Sequence, residues 1–156
     1  MKIRTDYVTN SSSSSFIVGF KNEESIEEQL RNEAYASERF DTILRDVKKN
    51  RISKAEALHE FRDEMYWDAQ YVLQDEYERK VIGDQIFYDW IKDHKNREEF
   101  YQKVNERLDV WFDEFKKKIE GLDYLALVEY DDHCNGDLEH GIMPKLNCTI
   151  QRFSHH

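Results

Sequence analysis

The chain has 156 residues, of which 39% are hydrophobic and 13% aromatic, and its formal net charge is −10. This size suits one domain that buries its own core, and the aromatic content argues against a disordered chain. The negative charge repels nucleic acid, so we expect no direct binding to DNA or RNA. The apolar runs fall far short of the roughly 18 residues that span a bilayer, so we expect no membrane segment.

Cysteine content and N-terminal composition predict a cytoplasmic protein with a single domain over residues 1–156. No apolar signal segment follows Met1, which argues against secretion. Cys134 and Cys148 are too few for a disulfide framework, and we interpret them as reduced thiols. The sequence indicates no particular oligomeric state.

The N-terminal region is predicted to contain two strands separated by a run of serines. Residues 16–20 are a short apolar segment typical of a strand, and residues 3–8 are a candidate for a further strand. Residues 11–15 are all serine, and we interpret them as a loop in preference to a phosphate-binding nest or a modification site. The run lacks the glycines and the lysine of a P-loop, so nucleotide binding by that route is not expected.

Residues 22–120 are predicted to form a helical insertion, because capping residues precede apolar residues at helical spacing. The first helix is predicted to begin at Asn22 or Ser25, and the others near Ser37, Ser53, Asp84 and Asn96. The residues predicted to face inward on the third helix are Leu58, Phe61, Met65, Ala69 and Val72. The last helix is the most regular, and we expect its Leu108, Trp111 and Phe115 to be buried.

The C-terminal region is predicted to return to strands. Residues 124–130 and 148–153 are apolar segments of strand length. Short strands are marginal alone, so residues 1–20 and 122–156 should pair in one small, mostly antiparallel sheet on which the helical insertion packs. The sequence therefore predicts an α+β fold with half of its residues in helices.

Both chain ends carry a distinctive signature. The first is KIRTDYVTNSSSSSF over residues 2–16, and the second combines Glu129-Tyr130-Asp131-Asp132, Glu139-His140-Gly141 and Ser154-His155-His156. Both resemble signatures of small uncharacterised bacterial and phage-associated proteins, although the resemblance does not extend to the helical centre. That group has no established activity, so the resemblance implies one family and no particular chemistry.

The C-terminal region also gathers side chains that bind metals. Those present within ten residues are Asp131, Asp132, His133, Cys134, Asp137, Glu139 and His140. His155 and His156 end a strand that we expect to lie nearby. Carboxylates and imidazoles suit a divalent transition metal such as zinc, manganese or iron. The spacing matches no established zinc signature, so a solvated acidic loop is the alternative interpretation.

The helical insertion carries an acidic stretch, with eight acidic residues and one arginine in residues 56–78. Such a field favours a basic protein partner. The residues predicted to form an interaction surface are Glu56, Glu60, Glu64, Asp68 and Asp75. Glu56 and His59 have the spacing of one half of a di-iron site, but the second half is missing, so an exposed face is the favoured interpretation.

Two functional classes follow from these patterns. The first is a noncatalytic protein-interaction or inhibitor module that engages a basic partner through its acidic helices. The alternative is a metal-binding protein or metal-dependent hydrolase that uses the C-terminal cluster. No Gly-x-Ser-x-Gly elbow occurs, so a serine nucleophile has no support and a noncatalytic role is preferred.

Overall fold

The computed structural model describes residues 12–155, and its architecture is a four-stranded antiparallel sheet combined with many helices. The predicted α+β fold class is confirmed, although helices of all kinds account for 67% of the described residues rather than half. Two compact units divide the chain. The first contains the residues up to Ala57 and those from Gly121 onwards, and the second runs from Leu58 to Glu120.

The sheet of the first unit is built around its N-terminal strand. The strands are β1 Ser13–Phe20, β2 Arg51–Ile52, β3 Tyr124–Asp131 and β4 Thr149–His155, in the order β2-β3-β1-β4. Strand β1 is thus paired on both sides by strands from the C-terminal region, which confirms the predicted pairing of the chain ends. The strand predicted over residues 3–8 lies outside the described residues, and β2 is the fourth strand of this sheet.

Ser13, Ser14 and Ser15 belong to a strand, so our interpretation of the serine run as a loop was wrong for these three residues. Ser13 begins β1, and Ser14 and Ser15 are buried. The Ser14 hydroxyl donates to Glu139 at 3.1 Å and the Ser15 hydroxyl donates to Glu129 at 3.0 Å. A small polar side chain is tolerated in a buried strand when its hydroxyl has such a partner.

The apolar core of the first unit lies between one face of the sheet and its helices. Strand β1 contributes Phe16, Val18 and Phe20, which alternate with residues on the opposite face as a strand requires. The helices are α1 Ile26–Arg31, α2 Phe40–Lys49 and α6 Asp132–Gly136, with 3-10 helices at Glu23–Ser25, Ala34–Arg39 and Met143–Lys145 and a π-helix at Asp137–Ile142. The helix predicted from Ser37 therefore begins at Phe40, after a 3-10 helix.

The second unit packs its own core. Its helices are α3 Lys54–Glu76, which starts in the first unit, followed by a π-helix at Tyr77–Val81, α4 Phe87–Trp90 and α5 His94–Ile119. The inward residues of α3 recur every four positions from Phe61 to Ala69 and Leu73, whereas Val72 is 38% exposed and was wrongly placed inside. On α5, Leu108 and Phe115 are buried as predicted, but Trp111 is only partly buried.

Phe115 is the better test of core packing in the second unit. Its ring stacks on Phe61 with centroids 4.4 Å apart, and it is 1% exposed. Phe115→Ala should lower the free energy of unfolding by about 3 to 5 kcal/mol, the range for a large buried aromatic. Trp111→Ala should cost clearly less, because part of that side chain already contacts water. Urea titrations of both variants check this order, and an equal or larger loss for Trp111 would contradict it.

Glu33 holds the loop before β4 to the end of α1. Its side chain is buried, and its two carboxylate oxygens accept hydrogen bonds from the backbone N–H groups of Asn147 and Cys148 at 2.9 and 3.0 Å. Both oxygens are therefore satisfied, as a buried carboxylate requires. Burial, with the nearby Glu33 charge as a smaller cause, raises the pKa of the Cys148 thiol.

Replacing Glu33 with glutamine should destabilise the first unit. The amide would present an N–H₂ group to one backbone N–H, so one donor in the buried loop would lose its acceptor. Such a loss costs about 1 to 3 kcal/mol. Urea titration measures it, and Glu38→Gln, at an exposed position in the next 3-10 helix, is the matched control. A Glu33→Gln variant as stable as this control would disprove the anchoring role.

Candidate metal centre

The C-terminal end of β3 leads directly into the segment that carries the candidate ligands. The Asp131 side chain caps α6 by accepting the backbone N–H of Cys134 at 2.8 Å. The backbone leaves helical geometry at Asn135, and the π-helix at Asp137–Ile142 follows. This irregular path buries Leu138 and Glu139 while it leaves His140 exposed.

Three of the side chains predicted as metal ligands come together. The ligand atoms of Asp132, Glu139 and His140 all lie within 4.8 Å of one another. The Ser12 hydroxyl contacts all three: it lies 3.4 Å from Asp132 Oδ2, 3.0 Å from Glu139 Oε1 and 3.4 Å from His140 Nε2. The group therefore converges on one small volume beside the start of β1.

Glu139 is the central member of the group, with no exposed surface. Its Oε1 accepts hydrogen bonds from the hydroxyls of Ser12 and Ser14 at 3.0 and 3.1 Å. Its Oε2 is buried and, among the described residues, accepts no hydrogen bond. That oxygen lies 3.2 Å from His140 Nε2, a contact between potential charge partners that lacks the geometry of a hydrogen bond.

The contact between Glu139 and His140 has the spacing of two ligands on one ion. Zinc bonds to nitrogen and oxygen are about 2.0 to 2.2 Å long, so two ligand atoms on the same ion lie roughly 3 to 3.5 Å apart. The observed 3.2 Å between Oε2 and Nε2 falls in that range. A donor set of two carboxylates and one imidazole suits zinc, manganese or iron in the divalent state.

Contacts from neighbouring elements hold the segment in place. Arg39 donates to both carboxylate oxygens of Asp137, at 2.7 and 2.6 Å, and to Asn135 Oδ1 at 2.9 Å. The Arg39 guanidinium lowers the pKa of the Asp137 carboxyl. The backbone N–H of Asp132 donates to the Ser12 carbonyl at 3.0 Å. The ligand segment is thus fastened to both the first unit's helices and its central strand.

The remaining ligands suggested by the sequence have other positions. Asp131 caps α6, and His133 is exposed and does not belong to the convergent group. His155 approaches the Ser15 hydroxyl at 3.2 Å. His156 lies outside the described residues. Sequence reasoning did not identify Ser12 and Ser14 as partners of Glu139, because it interpreted the serine run as a loop.

The acidic residues predicted to form an interaction surface on α3 make contacts within the chain. Glu56 forms a capping box with Ser53, accepting the Ser53 N–H at 3.1 Å, and Asp75 pairs with Arg79 at 3.2 Å. Glu60, Glu64 and Asp68 follow one another along one helix face.

Comparisons with known proteins give no further guide to this site. No family model matches the chain, and no curated protein or solved structure shows significant similarity to it. Among residues 12–155, no helix is long and apolar enough to cross a membrane.

Glu139→Gln should stabilise the metal-free protein, in contrast to Glu33→Gln. Oε2 of the Glu139 carboxylate accepts no hydrogen bond from residues 12–155, whereas a glutamine N–H at that place can donate to His140 Nε2. Removing an unsatisfied buried group is worth about 1 to 3 kcal/mol. Thermal or urea unfolding in EDTA measures the difference. If both variants lose stability to a similar extent, Glu139 is an ordinary structural carboxylate.

Proposed function

We propose that the protein binds a divalent transition metal ion through Asp132, Glu139 and His140. The observation that supports this most directly is the fully buried Oε2 of Glu139, which accepts no hydrogen bond from residues 12–155 and lies 3.2 Å from His140 Nε2. A buried carboxylate oxygen without a donor is costly unless a cation compensates it. Three protein ligands also leave coordination positions for water or substrate, as catalytic rather than structural metal sites do.

The proposal favours the metal-binding class over the noncatalytic class that the sequence alone preferred. A metal-dependent hydrolase is the enzymatic form of the same proposal, because a bound divalent ion polarises water and oxygen-containing substrates. Such a reaction requires that water and substrate reach the metal ion from solvent. Asp132 and His140 are both exposed, so their side of the site is accessible.

Untagged protein stripped with EDTA should bind close to one equivalent of Mn²⁺ or Zn²⁺ and should melt at a higher temperature with the metal than without it. At a metal concentration of one hundred times Kd, the gain is about 2.7 kcal/mol. Electron paramagnetic resonance of Mn²⁺ and differential scanning calorimetry measure the two quantities. Asp132→Ala with His140→Ala should abolish both effects, because it removes two of the three ligands.

The matched control for that experiment is His133→Ala. This histidine lies next to Asp132 in the chain but outside the convergent group, so its loss should leave metal binding intact. Circular dichroism of each variant verifies that the fold is retained. If the double variant binds metal as well as the wild type does, the metal binds elsewhere in the protein and the proposal is refuted.

A second candidate function is binding of a basic partner by α3, and exposed aromatic residues favour it. Trp67 and Tyr71 are 64% and 78% exposed. They lie on the same helix face as Glu64 and Asp68, since positions three, four and seven residues apart share a face. Aromatic rings among acidic side chains suit arginine and lysine, which bind through both charge and cation–π contacts.

For this second candidate, an arginine-rich peptide should quench Trp67 fluorescence, and its association should slow as salt rises because screening shortens the attraction. Glu64→Lys with Asp68→Lys should weaken the peptide by reversing the local charge. Asp113→Lys with Glu114→Lys, at exposed acidic positions of α5, changes the net charge by the same amount at a different place and is the control. Equal weakening of peptide binding by both double variants would exclude a specific surface on α3.

A further inference from the structure

Arg152 lies beside the candidate metal centre on the outer strand of the sheet. It pairs with Phe16 in the register of β1 and β4, so its side chain shares a sheet face with Ser14. Its Nε donates to the Ser14 hydroxyl at 3.2 Å, and that hydroxyl donates to Glu139 Oε1 at 3.1 Å. A single hydroxyl group therefore separates the guanidinium from the buried carboxylate of Glu139.

The guanidinium of Arg152 has no acidic partner within residues 12–155. Its contacts there are the hydrogen bond to Ser14 and the ring of Phe16, 5.8 Å from the guanidinium carbon. The Arg152 side chain is partly exposed. Arg39 and Arg107, by comparison, each donate to both oxygens of a carboxylate.

We propose that the site takes an oxyanion of the phosphate class, held between the metal ion and Arg152. This inference rests on the proposed metal site. Asp132 and Glu139 together neutralise a divalent ion, so Arg152 gives the loaded site one positive charge in excess. The planar fork of an arginine matches the oxygen spacing of phosphate, and a metal ion binds and polarises the same group.

Charge also predicts the order of binding. Without metal, the two negative charges of the carboxylates exceed the single positive charge of Arg152, so the site repels an anion. With metal bound, the net charge of the site becomes positive. Phosphate and metal should therefore bind cooperatively, and each should tighten the other by the same factor. If Arg152 only compensated the charge of Glu139, its removal would change metal affinity and stability. Phosphate would then have no effect on Mn²⁺ binding by the wild type or by the variant.

The test measures Mn²⁺ affinity by electron paramagnetic resonance with and without inorganic phosphate. In wild-type protein, phosphate should tighten Mn²⁺ binding by at least about fivefold, the lower end of typical coupling between sites. Free phosphate itself competes for Mn²⁺, so an increase in affinity cannot arise in the buffer. Arg152→Gln should remove this increase, as judged against the Mn²⁺ affinity of the same variant in phosphate-free buffer.

Arg51→Gln is the matched control, because it removes the same charge from β2 at the opposite edge of the sheet; it should respond to phosphate like the wild type. Arg152→Lys, which keeps the charge without the fork, should show a smaller effect of phosphate than the wild type. If Mn²⁺ binds but phosphate has no effect, or acts equally on Arg152→Gln, the oxyanion inference is overturned and the metal site stands. If wild-type protein binds no Mn²⁺, the metal proposal fails, and this inference fails with it.

Discussion

The position of β1 between β3 and β4 is the constraint on which the first unit depends. Both neighbours are antiparallel to β1, and one face of β1 supplies Phe16, Val18 and Phe20 to the core. The same face carries Ser14. A shift of one residue in register would turn every one of these side chains to the other face. Core packing therefore fixes the position of the Ser14 hydroxyl that contacts Glu139. The geometry of the site thus depends on a correctly formed sheet.

The two buried carboxylates of the first unit show two different uses of the same chemical group. Glu33 is bound by two backbone N–H groups and fastens a loop, which is what a purely structural carboxylate needs. Within the part of the chain that the structure describes, Glu139 receives two hydroxyl hydrogen bonds on one oxygen and none on the other. Proteins tend to break the rule of polar satisfaction where function demands it. The contrast within one core is therefore stronger evidence than the acidic cluster by itself.

Much of the fold was predictable because it depends on local patterns. The apolar segments at both chain ends indicated β1, β3 and β4, and the capping box at Ser53 and Glu56 marked the start of α3. Errors arose where a pattern allowed two solutions. Val72 and Leu73 are adjacent, and only packing decides which one faces inward. Trp111 follows the apolar stripe of α5, but a side chain of that size is rarely buried completely.

The candidate site was predictable in its residue types but not in its membership. Aspartate, glutamate and histidine were singled out as a group because they are close in the sequence. Which of them converge depends on the break at Asn135 and the π-helix after it, and neither has a clear sequence signal. The contribution of Ser12 was not predictable from local patterns, because Ser12 lies 127 residues from Glu139 in the chain. Long-range pairing of this kind is a property of the folded sheet and not of any local pattern.

The chain's charge of −10 bears on both proposals. A negative field concentrates cations near the surface and repels anions, so it assists a metal ion in reaching Asp132 and opposes the entry of a phosphate. An anion can then occupy the site only after a cation has reversed the local sign, and Arg152 supplies the remaining attraction. Under the two proposals, the acidic composition therefore favours binding of the metal before the phosphate.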